Sequence, residues 1–97
     1  MSVPLLTVIV PAYNSEDYLD RALTTLVGYG DELEAIVVND GSKDRTAQIA
    51  DEWAVRYPSV KVIHQENKGH GGAVNAGLAA ATGTHVRVVD SDDWLDR

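Results

Sequence analysis

At 97 residues the chain is one small domain or a piece of a larger one, and at that size folding buries roughly two thirds of the unfolded surface. Its 44% hydrophobic and 24% charged residues are ordinary for a globular fold, while a net charge of −7 with no basic cluster argues against a nucleic-acid or anionic-lipid binder. The absence of cysteine excludes disulfides and thiolate metal sites. No apolar run approaches the roughly 20 residues of a bilayer span, and no basic flank marks a secretory signal, so the expectation is a cytoplasmic protein.

In chain order, the first apolar run is LLTVIV (5–10), rich in β-branched residues and read as a strand. A helical stripe follows, formed by Tyr18, Leu19, Ala22, Leu23, Leu26 and Val27, with Asn14 or Ser15 as N-cap and Gly28 or Gly30 as the stop. LEAIVV (33–38) is the second strand. The second helix carries Thr46, Ile49, Ala50, Trp53, Ala54 and Tyr57 on one face, opened by Ser42 or Asp44 and closed before Pro58. VKVIH (60–64) is the third strand. The third helix, from about Gly71 to Ala81, places Ala73, Ala76, Gly77, Ala80 and Ala81 together, small side chains that allow close packing on a sheet. Thr82-Gly83 ends it, and THVRVV (84–89) is the fourth strand. All four strands read as apolar on both faces, as buried parallel strands are. The β-α-β-α-β-α-β alternation predicts an α/β, Rossmann-like three-layer sandwich with a mainly parallel sheet and right-handed crossovers.

In such sheets ligands sit beyond the carboxyl ends of the strands. The residues following the four strands are Pro11-Ala12-Tyr13-Asn14, Asn39-Asp40-Gly41-Ser42, Gln65 to Gly72, and Asp90-Ser91-Asp92-Asp93. Each segment is polar and each lands on the same edge. Tyr13 either closes a core edge or stacks on a nucleobase. Asp40, alone a turn or capping residue, becomes in this company a hydrogen-bond partner for a base or sugar. Lys68 is a solvated turn residue or a phosphate contact, and His70 is expected to be exposed. Gly69-His70-Gly71-Gly72-Ala73-Val74 resembles a dinucleotide fingerprint, but Val74 replaces the third glycine and the preceding QENK lengthens a turn that the fingerprint keeps tight. The glycines are better read as permitting close approach to a ligand or to the sheet.

Asp90, Asp92 and Asp93 crowd three carboxylates into four residues. Residues two apart on extended backbone point the same way, so Asp90 and Asp92 face one spot. Two anions sharing a site raise one pKa or bind a cation. Oxygen-only ligands suit Mg²⁺ or Mn²⁺, and a cation would reconcile an acidic protein with a phosphorylated ligand. The alternative is a solvated acidic turn with Asp93 capping a following helix.

VIVPAYNSEDYLDRAL, VVNDGSKDRT, NKGHGGAVNAGLAAATG and VVDSDDWLD resemble, in order and spacing, the N-terminal half of family 2 glycosyltransferases, which have the GT-A fold. The resemblance covers essentially the whole chain. It implies a half that binds a nucleotide-diphosphate sugar of UDP or GDP type. By motif matching, Pro11 and Tyr13 line the nucleobase and Asp40 contacts it. Asp92 holds the divalent metal, Asp90 sits beside the ribose or metal, and Lys68 and Asn75 border the nucleotide. Val74 stands where many members have arginine, leaving that part of the pocket less cationic. The implied chemistry is inverting transfer, with an acceptor hydroxyl attacking the anomeric carbon.

In that family the general base and acceptor region follow the D-x-D. The expectation is therefore a donor-binding half truncated just after that motif and unable to transfer sugar alone, with a parent enzyme that is cytoplasmic or associated with the cytoplasmic side of a membrane. An uncovered sheet edge would favour self-association. Two other classes compete. A haloacid-dehalogenase-type phosphatase also places D-x-D after a strand, but that motif opens its domain, followed by Thr or Val, where this chain has Asp93. A non-catalytic nucleotide-binding or interaction module is the stronger alternative.

Overall fold

The computed structural model describes residues 4–89, apart from the Asp31 side chain. Four strands, β1 (Leu6–Ala12), β2 (Leu33–Asp40), β3 (Val60–Gln65) and β4 (His85–Val88), alternate with three helices, α1 (Leu19–Val27), α2 (Thr46–Arg56) and α3 (Gly69–Ala80). A short 3-10 turn, Gly30–Glu32, leads into β2. The strand order is β3-β2-β1-β4 and every neighbouring pair is parallel. The chain winds outward from β1 through β2 to β3, then returns through α3 to place β4 on the other side of β1. This is the Rossmann-like, three-layer α/β architecture that the alternation predicts.

Period-two alternation sends the strand residues to two separate cores. Val8, Val10, Leu33, Ala35, Val37 and Val60 face α1 and α2, where Leu19, Leu23, Leu26, Ile49 and Ala50 close over them. Ile9, Ile36 and Val38 face α3 and pack on Ala73. The small-residue face of α3 does what its composition allows. A Cβ on the buried Gly77 would overlap the Ile9 side chain, so only glycine permits this helix–sheet distance. On the outer surface, Trp53 donates its indole N–H to Asp20 Oδ1 at 2.7 Å and stacks on Tyr57, tying α2 to α1.

Three sequence expectations need correction. β1 and β2 run further than their apolar residues, so Pro11, Ala12, Asn39 and Asp40 belong to strands rather than to loops. The ladder continues there because Pro11 pairs with Val38 and Asp40 with Gln65. Pro11 is tolerated because β4 pairs with β1 only over Leu6–Ile9, leaving Pro11 a single strand neighbour among the described residues. Secondly, α1 starts at Leu19, not at Asn14 or Ser15, and Tyr18 is 37% exposed. The Ser15 carbonyl accepts the Tyr18 and Leu19 N–H groups in a turn, while its hydroxyl accepts the Tyr13 N–H instead of capping the helix. Thirdly, β4 is exposed at all four residues, and β3 at Lys61 and His64, rather than buried. No described helix covers β4, and a cleft of about 740 Å³ on the α1 side exposes Leu5, Tyr29 and Val88.

Glu34 is a buried acid within an otherwise apolar strand, 2% exposed. Its carboxylate accepts the Thr7 hydroxyl at 2.7 Å and the Thr82 N–H at 3.0 Å, and forms an ion pair with Lys61. Burial would raise the group, but the Lys61 ammonium and the threonine donors outweigh it and hold its pKa at about 2. Gly83 N–H donates to Thr7 Oγ1 at 2.8 Å in the same network. These bonds fasten the chain between α3 and β4 to the amino-terminal edge of the sheet, opposite the residues considered below.

Candidate functional site

The carboxyl ends of β1, β2 and β3 carry three loops, and reciprocal hydrogen bonds clasp the first two together. Asn14 N–H donates to Ser42 Oγ at 2.9 Å, and Lys43 N–H returns to Asn14 Oδ1 at 2.8 Å. Ser15 N–H donates to Thr46 Oγ1 at 2.7 Å, Glu16 N–H to Asp44 Oδ2 at 3.2 Å, and Arg45 N–H to Glu16 Oε1 at 2.9 Å. Asn14 sits at φ 50°, a left-handed conformation that asparagine tolerates. Asp44 also accepts the Thr46 N–H at 2.9 Å, organising the start of α2 as expected, although from one residue outside the cap position. Burial would raise the Asp44 carboxyl, but its bonds to Thr46 and Glu16 hold it below the usual range. The result is a double loop with little freedom, set against the edge of the sheet.

Asp40 joins the third loop to the other two. The residue is 5% exposed, and its carboxylate accepts three hydrogen bonds: Gln65 Nε2 at 2.9 Å, Lys68 N–H at 2.8 Å and Gly69 N–H at 2.9 Å. Two of these donors belong to the opening of α3, whose first N–H groups have no partner within the helix. Burial would raise the Asp40 carboxyl; the three hydrogen bonds and the Lys68 charge outweigh it and keep the group below the ordinary carboxylate range. Asp40 is therefore ionised, with part of its acceptor capacity remaining. Gly41 follows at φ +75°, and a Cβ there would lie 2.7 Å from the Asn67 backbone nitrogen. Both the left-handed turn and the approach of the third loop require glycine.

The residues singled out in the sequence fall unevenly on this edge. Pro11 is buried in β1 and Tyr13, just beyond the strand, is 49% exposed. Lys68 is exposed, with its backbone held by Asp40. Asn75 is exposed on α3, about 9 Å along the axis from Gly69 at 1.5 Å per residue. It stands on the side of the helix away from the buried Ala73 and Gly77, so the structure does not bring it to Asp40. His70 is exposed at the start of α3. Asp90, Asp92 and Asp93 lie outside the described residues. Val89, immediately before them, still donates its N–H to the Ile9 carbonyl at the carboxyl end of β4. Among the described residues no cluster of three metal-ligating side chains occurs.

The sequence profile of glycosyl transferase family 2 matches residues 7–97. The chain belongs to this family. EpsH of Bacillus subtilis is 42% identical over 97 residues, covering 99% of this chain and 28% of that protein. Among solved structures, Staphylococcus aureus TarS 1–349 in complex with UDP is 38% identical with a TM-score of 0.80, over 90% of this chain and 27% of that one. The mannosyltransferase PcManGT of Pyrobaculum calidifontis, in complex with GDP-Man and Mn²⁺, is 31% identical with a TM-score of 0.82, over 95% and 28%. The chain thus spans less than a third of the length of each of these three relatives. The family 2 sheet of this chain is the GT-A type carried by these glycosyltransferases.

Sequence reasoning missed one part of the site. Asn39, 6% exposed, points to the opposite face from Asp40, accepts the Ser42 N–H at Oδ1 and places its Nδ2 3.0 Å from His64 Nδ1. His64 Nε2 lies 2.8 Å from Asp51 Oδ1 on α2. The only signal in the sequence was a lone histidine at the end of a strand run; its pairing with Asn39 comes from the sheet register.

Proposed function

We propose that residues 1–97 form a single nucleotide-sugar-binding unit, the donor-binding portion of an inverting glycosyltransferase that transfers a hexosyl-type group from a UDP or GDP sugar. The observation that carries this reading is the convergence of the three clasped loops on an ionised, anchored Asp40, with Tyr13 exposed beside them. UDP bound to TarS and GDP-Man bound to PcManGT support the ligand class. In this reading Pro11 and Tyr13 line the base, and Asp40 accepts a base N–H with its remaining lone pairs. Lys68 borders the nucleotide.

Asp92 and Asp90 would hold a divalent metal, Mg²⁺ or Mn²⁺. Their fit rests on donor chemistry, oxygen alone in a chain without cysteine, and on Val89, which delivers the chain to the carboxyl edge. Mn²⁺ in PcManGT supports the choice of cation. A bound cation there supplies positive charge to the leaving diphosphate. The chain's own residues do the rest of the donor work: they orient the base and fix the loops. Glu34, Asp40 and Asp44 are all occupied by protein donors, so none of them serves as the base that deprotonates an acceptor hydroxyl. In this reading the base is not one of these three anchored carboxylates, and the described residues act on the donor rather than on the acceptor. Self-association through β4, whose four residues are exposed, accompanies this reading, as does a cytoplasmic site of action. A dimer by light scattering supports the first.

Chemical-shift mapping with UDP and Mg²⁺ tests the placement. Shifts at Tyr13, Asp40 to Ser42, Lys68 and Gly69 are expected. Shifts confined to Leu5, Tyr29 and the amino-terminal edge would refute it.

A further inference from the structure

The loop beside Asp40 is held from behind by a directional chain of hydrogen bonds. Asn39 Oδ1 accepts the Ser42 N–H at 3.1 Å, which fixes the side-chain amide so that its NH₂ faces His64 Nδ1 at 3.0 Å. An amide NH₂ donates, so Nδ1 carries the lone pair and Nε2 carries the ring proton. That proton points at Asp51 Oδ1, 2.8 Å away, a carboxylate that accepts it. At the other end, Ser42 Oγ accepts the Asn14 N–H at 2.9 Å and Asn14 Oδ1 accepts the Lys43 N–H at 2.8 Å. The chain runs from the surface of α2 across β3 and β2 into both loops that flank Tyr13 and Asp40. Asn39 is buried and in register with His64, while the imidazole side chain is 43% exposed and open to protons from solvent.

We propose that His64 and Asp51 are positioning residues for nucleotide binding: Asp51 fixes the imidazole tautomer, and the free Nδ1 holds Asn39 in the orientation that supports the Ser42 turn. The inference rests on the nucleotide-binding reading above and concerns residues that touch no nucleotide. Its physical core is donor–acceptor parity. A second proton on His64 places an N–H at Nδ1 against the Asn39 NH₂, donor against donor. Turning the amide relieves the clash but takes Oδ1 away from the Ser42 N–H. Either way one bond of the support is lost, and the loop beside Asp40 loosens. The groups that face the ring are Asp51 from α2 and the neutral Asn39 from β2. Asp40, the next residue along, faces α3 on the other side of the sheet. Asn39 is thus the side chain that links His64 to the Ser42 turn.

The experiment follows the 97-residue chain from about pH 8 to about pH 5, the span over which imidazole side chains change charge. Two readouts are taken: the Ser42 amide resonance, and the affinity for UDP with Mg²⁺. The variants are His64→Asn, whose Oδ1 occupies the place of Nδ1 and cannot titrate, and His64→Leu, which has no acceptor. In the wild type the Ser42 amide is expected to shift with the same midpoint as the His64 ring. UDP affinity is expected to fall about three- to tenfold more than in His64→Asn, the value of one supporting hydrogen bond. The nucleotide's own protonation is common to both proteins and cancels in that comparison. His64→Leu is expected to bind weakly at every pH, and His64→Asn to restore binding. A Ser42 amide that stays still while His64 titrates overturns the proposal, as does His64→Asn retaining the full pH dependence. Wild type that binds no UDP at any pH removes the nucleotide reading and this inference with it. The Ser42 amide distinguishes that failure from a failure of the hydrogen-bond chain.

Discussion

Replacing Glu34 with glutamine tests the electrostatics of the fold at its amino-terminal edge. The carboxyl, 2% exposed, is held at a pKa of about 2 against an ordinary 4.5. Burial pushes it up, and the Lys61 ammonium with the Thr7 and Thr82 donors more than reverses that. At 1.36 kcal/mol per unit the difference corresponds to roughly 3 kcal/mol of stability at neutral pH, a large fraction of the 5–15 kcal/mol typical of a domain. Because the folded-state pKa is depressed, this stability is present above pH 4.5 and is lost as pH falls through the window down to about 2. Urea unfolding followed by far-ultraviolet circular dichroism, repeated at intervals from pH 6 downward, measures it. Wild type is expected to lose about 3 kcal/mol more than Glu34→Gln across the window, since every other acid is shared by the two proteins. Glu34→Gln should also be the less stable at neutral pH, because its amide NH₂ meets Lys61. Parallel curves would show that Glu34 ionises alike in the folded and unfolded chains, and the network would carry no such energy.

Asp40→Ala leaves the Gln65 amide and the Lys68 N–H without their acceptor, and the Gly69 N–H with only the longer bond to Asn67 Oδ1 at 3.2 Å. Roughly 2–4 kcal/mol of stability should be lost, with faster hydrogen exchange at Lys68 and Gly69 as the specific signature. Unchanged exchange there would mean that Asp40 does not anchor α3. Gly77→Ala sets about 1 kcal/mol of helix propensity against overlap of the new methyl with the buried Ile9. Overpacking of this kind typically costs about 1–3 kcal/mol, so urea unfolding should show a net loss. A stabilised variant would show that α3 rides higher on the sheet.

Much of this architecture is legible in the sequence because it depends on local pattern. Runs of five or six residues rich in β-branched side chains mark the strands, and the Leu19, Ala22, Leu23, Leu26 stripe marks α1. What escapes depends on partners far along the chain. Nothing near Glu34 in sequence shows that Thr7 and Thr82, 27 and 48 positions away, will satisfy it. Asn39 and Asp40 look like turn residues in the sequence, yet the β-ladder carries them. Ser15 looks like a helix cap but spends its hydroxyl within its own loop. β4 reads as buried from its valines, but burial depends on what lies over a strand, and no described element covers it. The position of Tyr13, Asp40 and Lys68 at the carboxyl edge was legible from their places at or just after strand ends. Asn39 and His64 were not, because a single histidine in an apolar run carries no sign of its cross-strand partner.

Calorimetric titration of UDP and GDP into the wild-type chain and Asp92→Ala, each with and without Mn²⁺, addresses the central claim most directly. The account predicts nucleotide binding that requires the cation and is abolished by Asp92→Ala, with the tighter nucleotide identifying the donor base. Binding indifferent to both Mn²⁺ and Asp92→Ala, or no binding under any of these conditions, would contradict it.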